Sequence, residues 1–321
     1  MLLAGDASGQ PALFEPDEIV AQERGSGRLA GLEITHVLAR RIINPIPPGG
    51  PVSFRWSINA YRGCSHACVY CFARPTHEYL GLNGGSDFDR KIIVKINAVE
   101  RLRAELDSPK WRGESIAMGT NTDPYQRAEG KYRLTRGIVS TLVERANPFS
   151  ILTKSALIVR DKDLLVRAYE QSDVSISFSI GTVDEDVWRV AEPGTPPPAR
   201  RLAAVRELTS AGIDVGVLVA PILPGISDRR DQLERTVSAI VAAGGTVHGT
   251  VALYLDGATR THYLSWLAAR DPVLHARYLD RYAGRTHLPD EYSVWIRRVV
   301  AEAVERAGGR PMRPFPIRPR R

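Results

Sequence analysis

The three cysteines of this chain, Cys64, Cys68 and Cys71, fall within eight consecutive positions. Three residues separate the first pair and two separate the second, on a loop rich in small residues. Such a backbone can wrap around one centre and point three thiols at it, as loops that hold metal ions or iron-sulfur clusters do. Three thiolates leave one position of a four-coordinate site open, which catalysis needs and structural sites normally lack. The spacing therefore predicts a reactive metal centre.

Other kinds of site are compatible with the same three residues. A zinc ion could take the three thiolates with His66 or His77 as its fourth ligand, although no second Cys/His pair accompanies the loop. Inert buried cysteines are a further alternative, but free cysteines usually scatter through a core. A disulfide would leave one thiol over, and it would need an oxidising compartment. The residues favour the cluster and leave the alternatives open.

Strand-like and helix-like segments alternate after the cysteine loop. The patterns predict strands at 52–59, 92–96, 115–119, 149–153, 174–180, 214–222 and 250–255. They predict helices at 97–106, 134–146, 161–170, 198–211 and 227–243. Repeated alternation indicates parallel strands covered by helices, and five or six units are too few for a closed eight-stranded barrel. We therefore expect an α/β fold, a partial (β/α)6 barrel of parallel strands.

Four regions follow from these patterns. Residues 1–50 are expected to form an extended N-terminal segment with one short strand near 34–38. Its last part, 44–50, is rich in proline and glycine and is not expected to sustain helix or sheet. Residues 51–257 form the core, 258–307 a helical extension, and 308–321 a basic Pro/Arg tail.

Composition limits the class of protein. An apolar content of 43% with 25% charged residues is ordinary for a globular chain of 321 residues. The net charge of +7 includes five tail arginines, so the rest is nearly balanced, and the tail is expected to be solubilising more often than nucleic-acid-binding. The N-terminus resembles neither a signal peptide nor an anchor, and no apolar run reaches the roughly 18 residues of a membrane helix. We expect a cytoplasmic monomer without membrane contact.

The loop from Tyr61 to Arg74, with the sequence YRGCSHACVYCFAR, resembles that of radical S-adenosylmethionine (SAM) enzymes, and is most similar to the spore photoproduct lyase-like branch. The resemblance implies that Cys64, Cys68 and Cys71 bind three irons of a [4Fe-4S] cluster, whose fourth iron chelates SAM. It implies that Tyr70 packs near the adenine of SAM. It also implies reductive cleavage of SAM to a 5′-deoxyadenosyl radical, with an external electron donor of the flavodoxin or ferredoxin type.

Parallel sheets carry their active sites where the strands end, so residues there are candidates. The turn after the strand at 115–119 contains Thr122 and Asp123 within TDPYQ, which resembles a signature of the photolyase-like branch and implies contacts with SAM. A simple Asx turn is the alternative. Lys154 ends the next strand, where it could meet a carboxylate, and the resemblance suggests that of SAM. Its alternative is an exposed strand end.

Two further strands offer candidates. Three serines alternate with apolar residues along 174–180, and buried hydroxyls need partners, so Ser177 and Ser179 are predicted to contact the SAM ribose that this strand binds in the family. They could also face water or bond within the barrel. The segment 219–226 resembles the part of the family that lines the adenine, which implicates Pro221 and Ile222. A rigid turn without a ligand is the alternative there.

The resemblance identifies cofactor chemistry and leaves the substrate open. Spore photoproduct lyase uses a further cysteine as hydrogen donor, whereas this chain has three cysteines in all. A tyrosine, Tyr125 or Tyr70, is the candidate that could replace it. The same count disfavours an auxiliary cluster. A DNA repair lyase, a non-catalytic iron-sulfur sensor and a zinc-stabilised nucleic-acid binding protein remain the alternatives to a radical SAM enzyme of unidentified substrate.

Overall fold

The computed structural model describes residues 19–47 and 54–312. In this part of the chain the strands are β1 (Ile19–Arg24), β2 (Glu33–Val37), β3 (Ile43–Pro45), β4 (Trp56–Ile58), β5 (Tyr61–Arg62), β6 (Lys91–Lys95), β7 (Ile116–Met118), β8 (Phe149–Thr153), β9 (Val174–Ser179), β10 (Val215–Ile222) and β11 (Thr246–Ala252). The helices are α1 (Ser86–Arg90), α2 (Ala98–Leu106), α3 (Glu129–Tyr132), α4 (Leu134–Glu144), α5 (Lys162–Gln171), α6 (Glu185–Ala191), α7 (Pro198–Ser210), α8 (Arg230–Ala242), α9 (Gly257–Arg270), α10 (Pro272–Arg281) and α11 (Asp290–Arg306). Short 3-10 helices lie at Gly27–Leu29, Arg74–Leu80 and Ala156–Asp161.

A seven-stranded sheet with the order β11-β10-β9-β8-β7-β4-β3 forms the centre of the fold. Its neighbours from β4 to β11 are parallel, and β3 joins antiparallel at one edge. Helices α4, α5, α7, α8 and α11 contribute buried residues to the large core on the outer face of this sheet. The predicted partial (β/α)6 barrel of parallel strands is confirmed.

Alternation along the strands separates the helix-covered face from the barrel interior. On β9, Ile176 and Phe178 belong to the helix-side core, so the three serines face the interior as predicted. The register row of Ser175 continues through small residues on three neighbouring strands, with Ser150 on β8, Ala117 on β7 and Ser57 on β4. Closed barrels fill this space with bulky side chains. The small residues here leave the interior less filled.

A separate four-stranded sheet has the order β1-β2-β6-β5. Its strand β6 was expected to take part in the barrel alternation, and this expectation was wrong. The strand at Lys91–Lys95 pairs parallel with β2 and antiparallel with β5. The hydrophobic pattern correctly identified a strand but could not show that its partners come from the N-terminal region and from the start of the cysteine loop. The small sheet thus fixes the chain that enters this loop.

The described part of the N-terminal region, 19–47, contains three strands where one short strand was expected. The strand predicted near 34–38 is β2, but β3 forms at Ile43–Pro45, partly within the stretch that was expected to form neither helix nor sheet. Proline is tolerated there because β3 is an edge strand, where no neighbour needs its missing N–H. The predictions for 1–14, for the start of the strand at 52–59 and for most of the basic tail lie outside the described residues.

Most other predicted elements are present with small shifts. The helices α2, α4, α5, α7 and α8 match the five predicted ones. The last strand was expected at 250–255, yet β11 begins at Thr246. The reason is that Gly244, with a left-handed φ of 82°, ends α8 and sends the chain directly into the strand.

The C-terminal helices complete the domain in two places. Helix α11 packs into the main core through Ile296, Val299 and Val300. Helices α9 and α10 instead form a second core with the cysteine loop, in which Cys68, Val69 and Tyr70 meet the buried Tyr263, Tyr278 and Tyr282. The prediction of helices after 258 is therefore confirmed. Within the described ranges, no helix has the length and apolar character needed to cross a membrane.

Candidate active site

The cysteine loop starts where β5 ends, and its backbone is tightly fixed. Gly63 has a φ of 72°, and a Cβ atom there would lie 2.8 Å from the Lys91 carbonyl oxygen, so only glycine fits. The Cys64 N–H donates to the Phe88 carbonyl at 2.9 Å. Ala67 adopts a φ of 51°, a left-handed conformation that costs a residue with a Cβ about 1 to 2 kcal/mol. The surrounding contacts must offset this strain.

The three thiols influence one another electrostatically. Cys64 and Cys68 are buried, and Cys71 is partly exposed. Burial, followed by the charge of Cys64, raises the pKa of Cys71 to about 11. Burial and then the charge of Glu192 raise the pKa of Cys68 well above its usual value. Binding to iron would remove these protons, because a coordinating thiol is deprotonated.

The geometry gives the zinc alternative no support. In the part of the chain that the structure describes, no three His, Cys, Asp or Glu side chains are arranged to hold a single metal ion. His66 lies 3.4 Å from the Asp123 carboxylate, and His77 Nε2 lies 3.0 Å from the Lys91 carbonyl oxygen. Thiols that bind three different irons of a cluster need not converge on one point. The cysteine arrangement is therefore compatible with a cluster.

Arg74, which was not predicted, secures the end of the loop. Its guanidinium is fully buried and donates to the carbonyls of Cys68, Gly84 and Gly85 at 2.8, 3.0 and 2.9 Å. It also donates to the Asp89 carboxylate at 2.9 Å. These contacts fix the backbone of the second cysteine, Cys68. A single arginine after a cysteine loop carries no sequence signal for such a role.

The turn after β7 holds the other end of the loop. The Thr122 hydroxyl donates to the Gly63 carbonyl at 2.7 Å, and the Gln126 amide donates to the same oxygen at 2.9 Å. The Gln126 side-chain oxygen accepts the Ser65 N–H at 3.0 Å. The proton of the Thr122 hydroxyl is thus committed to the loop, and its contact with SAM stays a prediction.

Asp123 joins the cysteine loop to the end of β8. Its carboxylate accepts the Thr153 hydroxyl and the Lys154 N–H, each at 2.7 Å, and the Tyr125 N–H at 2.9 Å. Burial opposes its ionisation, but the charge of His66 and these hydrogen bonds hold the pKa of Asp123 at about 2. Burial likewise opposes protonation of His66, yet Asp123 raises the pKa of its ring to about 10. The pair is therefore ionic at neutral pH.

Three predicted ligand residues meet beside the loop. Lys154 Nζ donates to the Ser179 hydroxyl at 2.7 Å and lies 5.7 Å from the centre of the Tyr70 ring. The Ser179 hydroxyl donates to the Ala220 carbonyl at 2.7 Å. Two residues earlier on β9, Ser177 is 1% exposed, and its hydroxyl has no hydrogen-bond partner among the described residues. The structure therefore places a cation, an aromatic ring and two hydroxyls at the carboxyl end of the barrel.

Glu192 and Arg201 support this group and were not predicted. The Tyr70 hydroxyl donates to the Glu192 carboxylate, and the buried Arg201 guanidinium donates to the same carboxylate. Burial opposes ionisation of Glu192, but Arg201 and then Lys154 keep its pKa below the usual value. Tyr70 is thus held in place by a buried ion pair.

The loop 192–198 lies against the cysteine loop. The Gly194 N–H donates to the His66 carbonyl at 3.0 Å. A Cβ at this glycine would lie 2.1 Å from the Ser65 carbonyl oxygen. Glu192 at its start escaped prediction because one acidic residue beside a Pro-Gly pair has many possible roles.

Three candidates lie apart from this group. Tyr125 is 1% exposed in the main core, where burial and then the charge of Asp161 raise its pKa well above the usual value. The Ile222 side chain is fully buried in the same core, whereas Pro221 is half-buried at the end of β10. Their predicted roles remain untested.

A sequence profile of the radical SAM superfamily matches residues 58–238 of the chain. The matched part begins at the last residue of β4 and ends within α8. It therefore includes the cysteine loop, the turn with Thr122, and the strands that carry Lys154 and Ser179.

The chain also resembles curated proteins. An uncharacterized protein of Mycobacterium tuberculosis is 44% identical over 274 residues, which is 85% of this chain and 81% of that protein. A radical SAM Nα-GlyT isomerase of Pseudomonas phage M6 is 26% identical over 246 residues, which is 74% of this chain and 46% of the isomerase.

Among solved structures, a spore photoproduct lyase variant with dinucleoside spore photoproduct matches with a TM-score of 0.62 at 17% identity. The match covers 89% of this chain and 84% of the lyase. A second variant, with bound AdoMet and the dinucleoside, gives a TM-score of 0.62 at 15% identity and covers 85% and 79%. At these identities the similarity shows the fold.

Proposed function

The chain belongs to the radical SAM superfamily, and we propose that it is an enzyme that holds a [4Fe-4S] cluster on Cys64, Cys68 and Cys71. In this proposal the cluster and SAM, when bound, supply a 5′-deoxyadenosyl radical that abstracts hydrogen from a substrate. The residues around them bind iron, orient SAM and keep water away. An external electron donor of the flavodoxin or ferredoxin type would approach on the side of Cys71, the most exposed of the three thiols.

The position of Lys154 is the observation that carries this proposal. Its ammonium lies between the Tyr70 ring and the Ser179 hydroxyl, next to the loop that carries the cysteines. A carboxylate is the natural partner of a lysine at such a site, and SAM has one. We assign the SAM carboxylate to Lys154 and the ribose to Ser179. A purely structural cluster would need neither group.

Tyr70 is assigned to the adenine. Its ring is part of the second core, and its hydroxyl is fixed by Glu192 and Arg201. A ring held at both ends offers a flat surface at little further entropic cost on binding. The buried tyrosines of α9 and α10 belong to the same core as Tyr70 and keep water from this part of the loop.

Ser177 supports the presence of a ligand inside the barrel. Buried hydroxyls nearly always have a hydrogen-bond partner, and within the part of the chain that the structure describes the Ser177 hydroxyl has none. It lies one inward-facing position deeper than Ser179, about 7 Å along the strand. A ribose hydroxyl or a polar group of the substrate would satisfy it. The residues present therefore fit the cofactor.

Repair of a thymine photoproduct is the second candidate, because the fold matches spore photoproduct lyase over most of both chains. Such a reaction needs a hydrogen donor, and the chain has no fourth cysteine. Of the two tyrosine candidates, only Tyr70 lies at the proposed SAM site, since Tyr125 is buried in the main core. We therefore place the lyase second to a hydrogen-abstracting enzyme with another substrate.

Replacing Lys154 or Ser179 by alanine should weaken SAM binding and leave the cluster intact. The lost hydrogen bond of Ser179 should cost about 1 kcal/mol, and the lost charged contact of Lys154 about 1.5 to 3 kcal/mol. SAM affinity of the reconstituted variants, together with their iron content, tests this. Lys162→Ala is the matched control, because Lys162 is an exposed lysine that pairs with Glu207. Normal SAM binding by K154A and S179A would place the SAM site elsewhere.

A further inference from the structure

A basic pocket lies beside the proposed active site. None of its residues has been given a role so far. It is a shallow, open concavity of about 410 Å³ that is lined by Arg260, Gly284, Arg285, Thr286 and His287. The loop that contributes most of these residues connects α10 to α11. The pocket is open to solvent, so a large molecule can reach it.

The pocket lies close to the cysteine loop. The Thr259 hydroxyl donates to the Cys71 carbonyl at 2.8 Å, and Arg260 is the next residue of α9. On the other side, the Leu255 N–H donates to the Thr286 carbonyl at 3.0 Å, three residues after β11 ends. The pocket therefore belongs to the rim of the barrel, at the end where the strands deliver the proposed SAM ligands.

The groups that line the pocket are mainly hydrogen-bond donors. Arg260 donates to the carbonyls of Tyr282 and Arg285, which fixes its guanidinium at the wall of the pocket. The Arg285 side chain is exposed. The Thr286 hydroxyl and His287 Nδ1 are 2.9 Å apart. Two guanidinium groups, a hydroxyl and an imidazole thus surround one concave site.

The acidic residue on this flank is already engaged. The Asp256 carboxylate accepts the Tyr254 hydroxyl and the Gly257 N–H, both at 2.9 Å, at the start of α9. The ring of Tyr254 in turn packs against the ring of His287, with 4.8 Å between their centres. Among the described residues that line the pocket, two are arginines and none is acidic.

We infer that this pocket binds a phosphate group of the substrate. Arginine forks match phosphate oxygens, and hydroxyl and imidazole groups add further donors to a tetrahedral anion. A planar carboxylate has two oxygens and would use fewer of these groups. The phosphate could belong to a nucleic-acid strand or to a phosphorylated small molecule. The inference rests on the proposed function only in taking the phosphate to be part of the substrate.

Binding of a short fluorescein-labelled single-stranded oligonucleotide to the full chain, followed by anisotropy without SAM or reductant, tests the site. We expect Arg285→Ala to weaken binding severalfold and to lower the slope of log affinity against log salt by about 0.7, the contribution of one phosphate on a single strand. Arg277→Ala is the matched control, because Arg277 is an exposed arginine of α10 outside the pocket. It should change neither quantity. An unchanged melting temperature verifies that R285A is folded.

Competition by thymidine 5′-monophosphate separates the two sources of phosphate. If the mononucleotide displaces the oligonucleotide from the unmodified chain but leaves the weaker binding to R285A unchanged, a single phosphate suffices for the pocket. Failure of the mononucleotide to compete, with the R285A effect intact, means that the pocket needs a strand. Equal binding by R285A, R277A and the unmodified chain, or no binding by the unmodified chain of either probe, overturns the inference. None of these results depends on SAM cleavage, so they stand apart from the test of the proposed enzyme.

Discussion

Replacing any one of Cys64, Cys68 and Cys71 by alanine should abolish cluster binding and SAM cleavage together. Each cysteine is assigned one iron, and the chain has no other cysteine that could take its place. Iron and sulfide analysis after anaerobic reconstitution, with quantitation of 5′-deoxyadenosine, measures both effects. The expected loss is complete to background.

Phe72→Ala is the control for this experiment. Phe72 lies in the same loop, directly after the third cysteine, and its side chain is 60% exposed. The variant should keep the cluster and cleave SAM with a chemical reductant. Retention of a full cluster and of SAM cleavage in a variant that lacks all three cysteines would show that iron binds elsewhere.

Arg74→Ala should have the largest effect on stability. Its removal leaves the buried carbonyls of Cys68 and Gly84, the partly buried carbonyl of Gly85 and the Asp89 carboxylate without this donor. Removing one member of a buried ion pair typically costs about 3 to 5 kcal/mol. Because Arg74 holds the carbonyl of Cys68, the cluster should also lose its iron faster when a chelator is added. Urea unfolding of the cluster-free chain and the rate of iron loss measure the two effects.

Arg90→Ala provides the comparison, since Arg90 is an exposed arginine at the end of α1. Its loss should change the free energy of unfolding by less than about 0.5 kcal/mol. Arg74→Lys should recover only a small part of the stability, because one ammonium cannot reach all four acceptors. If R74A and R90A unfold alike, the guanidinium contacts do not hold the loop.

The sequence could predict those site residues that are close together in the chain or that lie on or directly after a single strand. Cys64, Cys68 and Cys71 are close in the chain, and the serines of β9 follow from the two-residue period of a strand. Lys154 could be predicted because it directly follows a strand, and parallel strands bring their carboxyl ends to one edge. In the structure its ammonium donates a hydrogen bond to the Ser179 hydroxyl.

Residues that support the site from a distance could not be predicted. Glu192 and Arg201 belong to a loop and a helix whose patterns indicate only a turn and an amphipathic segment. Their pairing with Tyr70 depends on how α7 lies against the cysteine loop, which no local pattern encodes. The same holds for β6, whose partner β2 lies more than fifty residues earlier in the chain.

The charge of the tail also depends on tertiary structure. Its five arginines were counted as free positive charge, but Arg310 pairs with Asp214 at 2.5 Å. Asp214 lies just before β10, at the opposite end of that strand from Pro221 and Ile222. This arginine therefore helps to close the far end of the barrel, and its attraction for nucleic acid is reduced accordingly.

Reductive SAM cleavage by the reconstituted protein tests the central claim most directly. The protein is loaded with iron and sulfide under anaerobic conditions, analysed for metals, reduced with dithionite and mixed with SAM. We predict about four irons per chain, a spectral change of the reduced cluster on addition of SAM, and 5′-deoxyadenosine and methionine in equal amounts. About four irons without any response to SAM, or one zinc ion in place of iron, would contradict the assignment of this chain as a radical SAM enzyme that uses Lys154, Ser179 and Tyr70 to hold its cofactor.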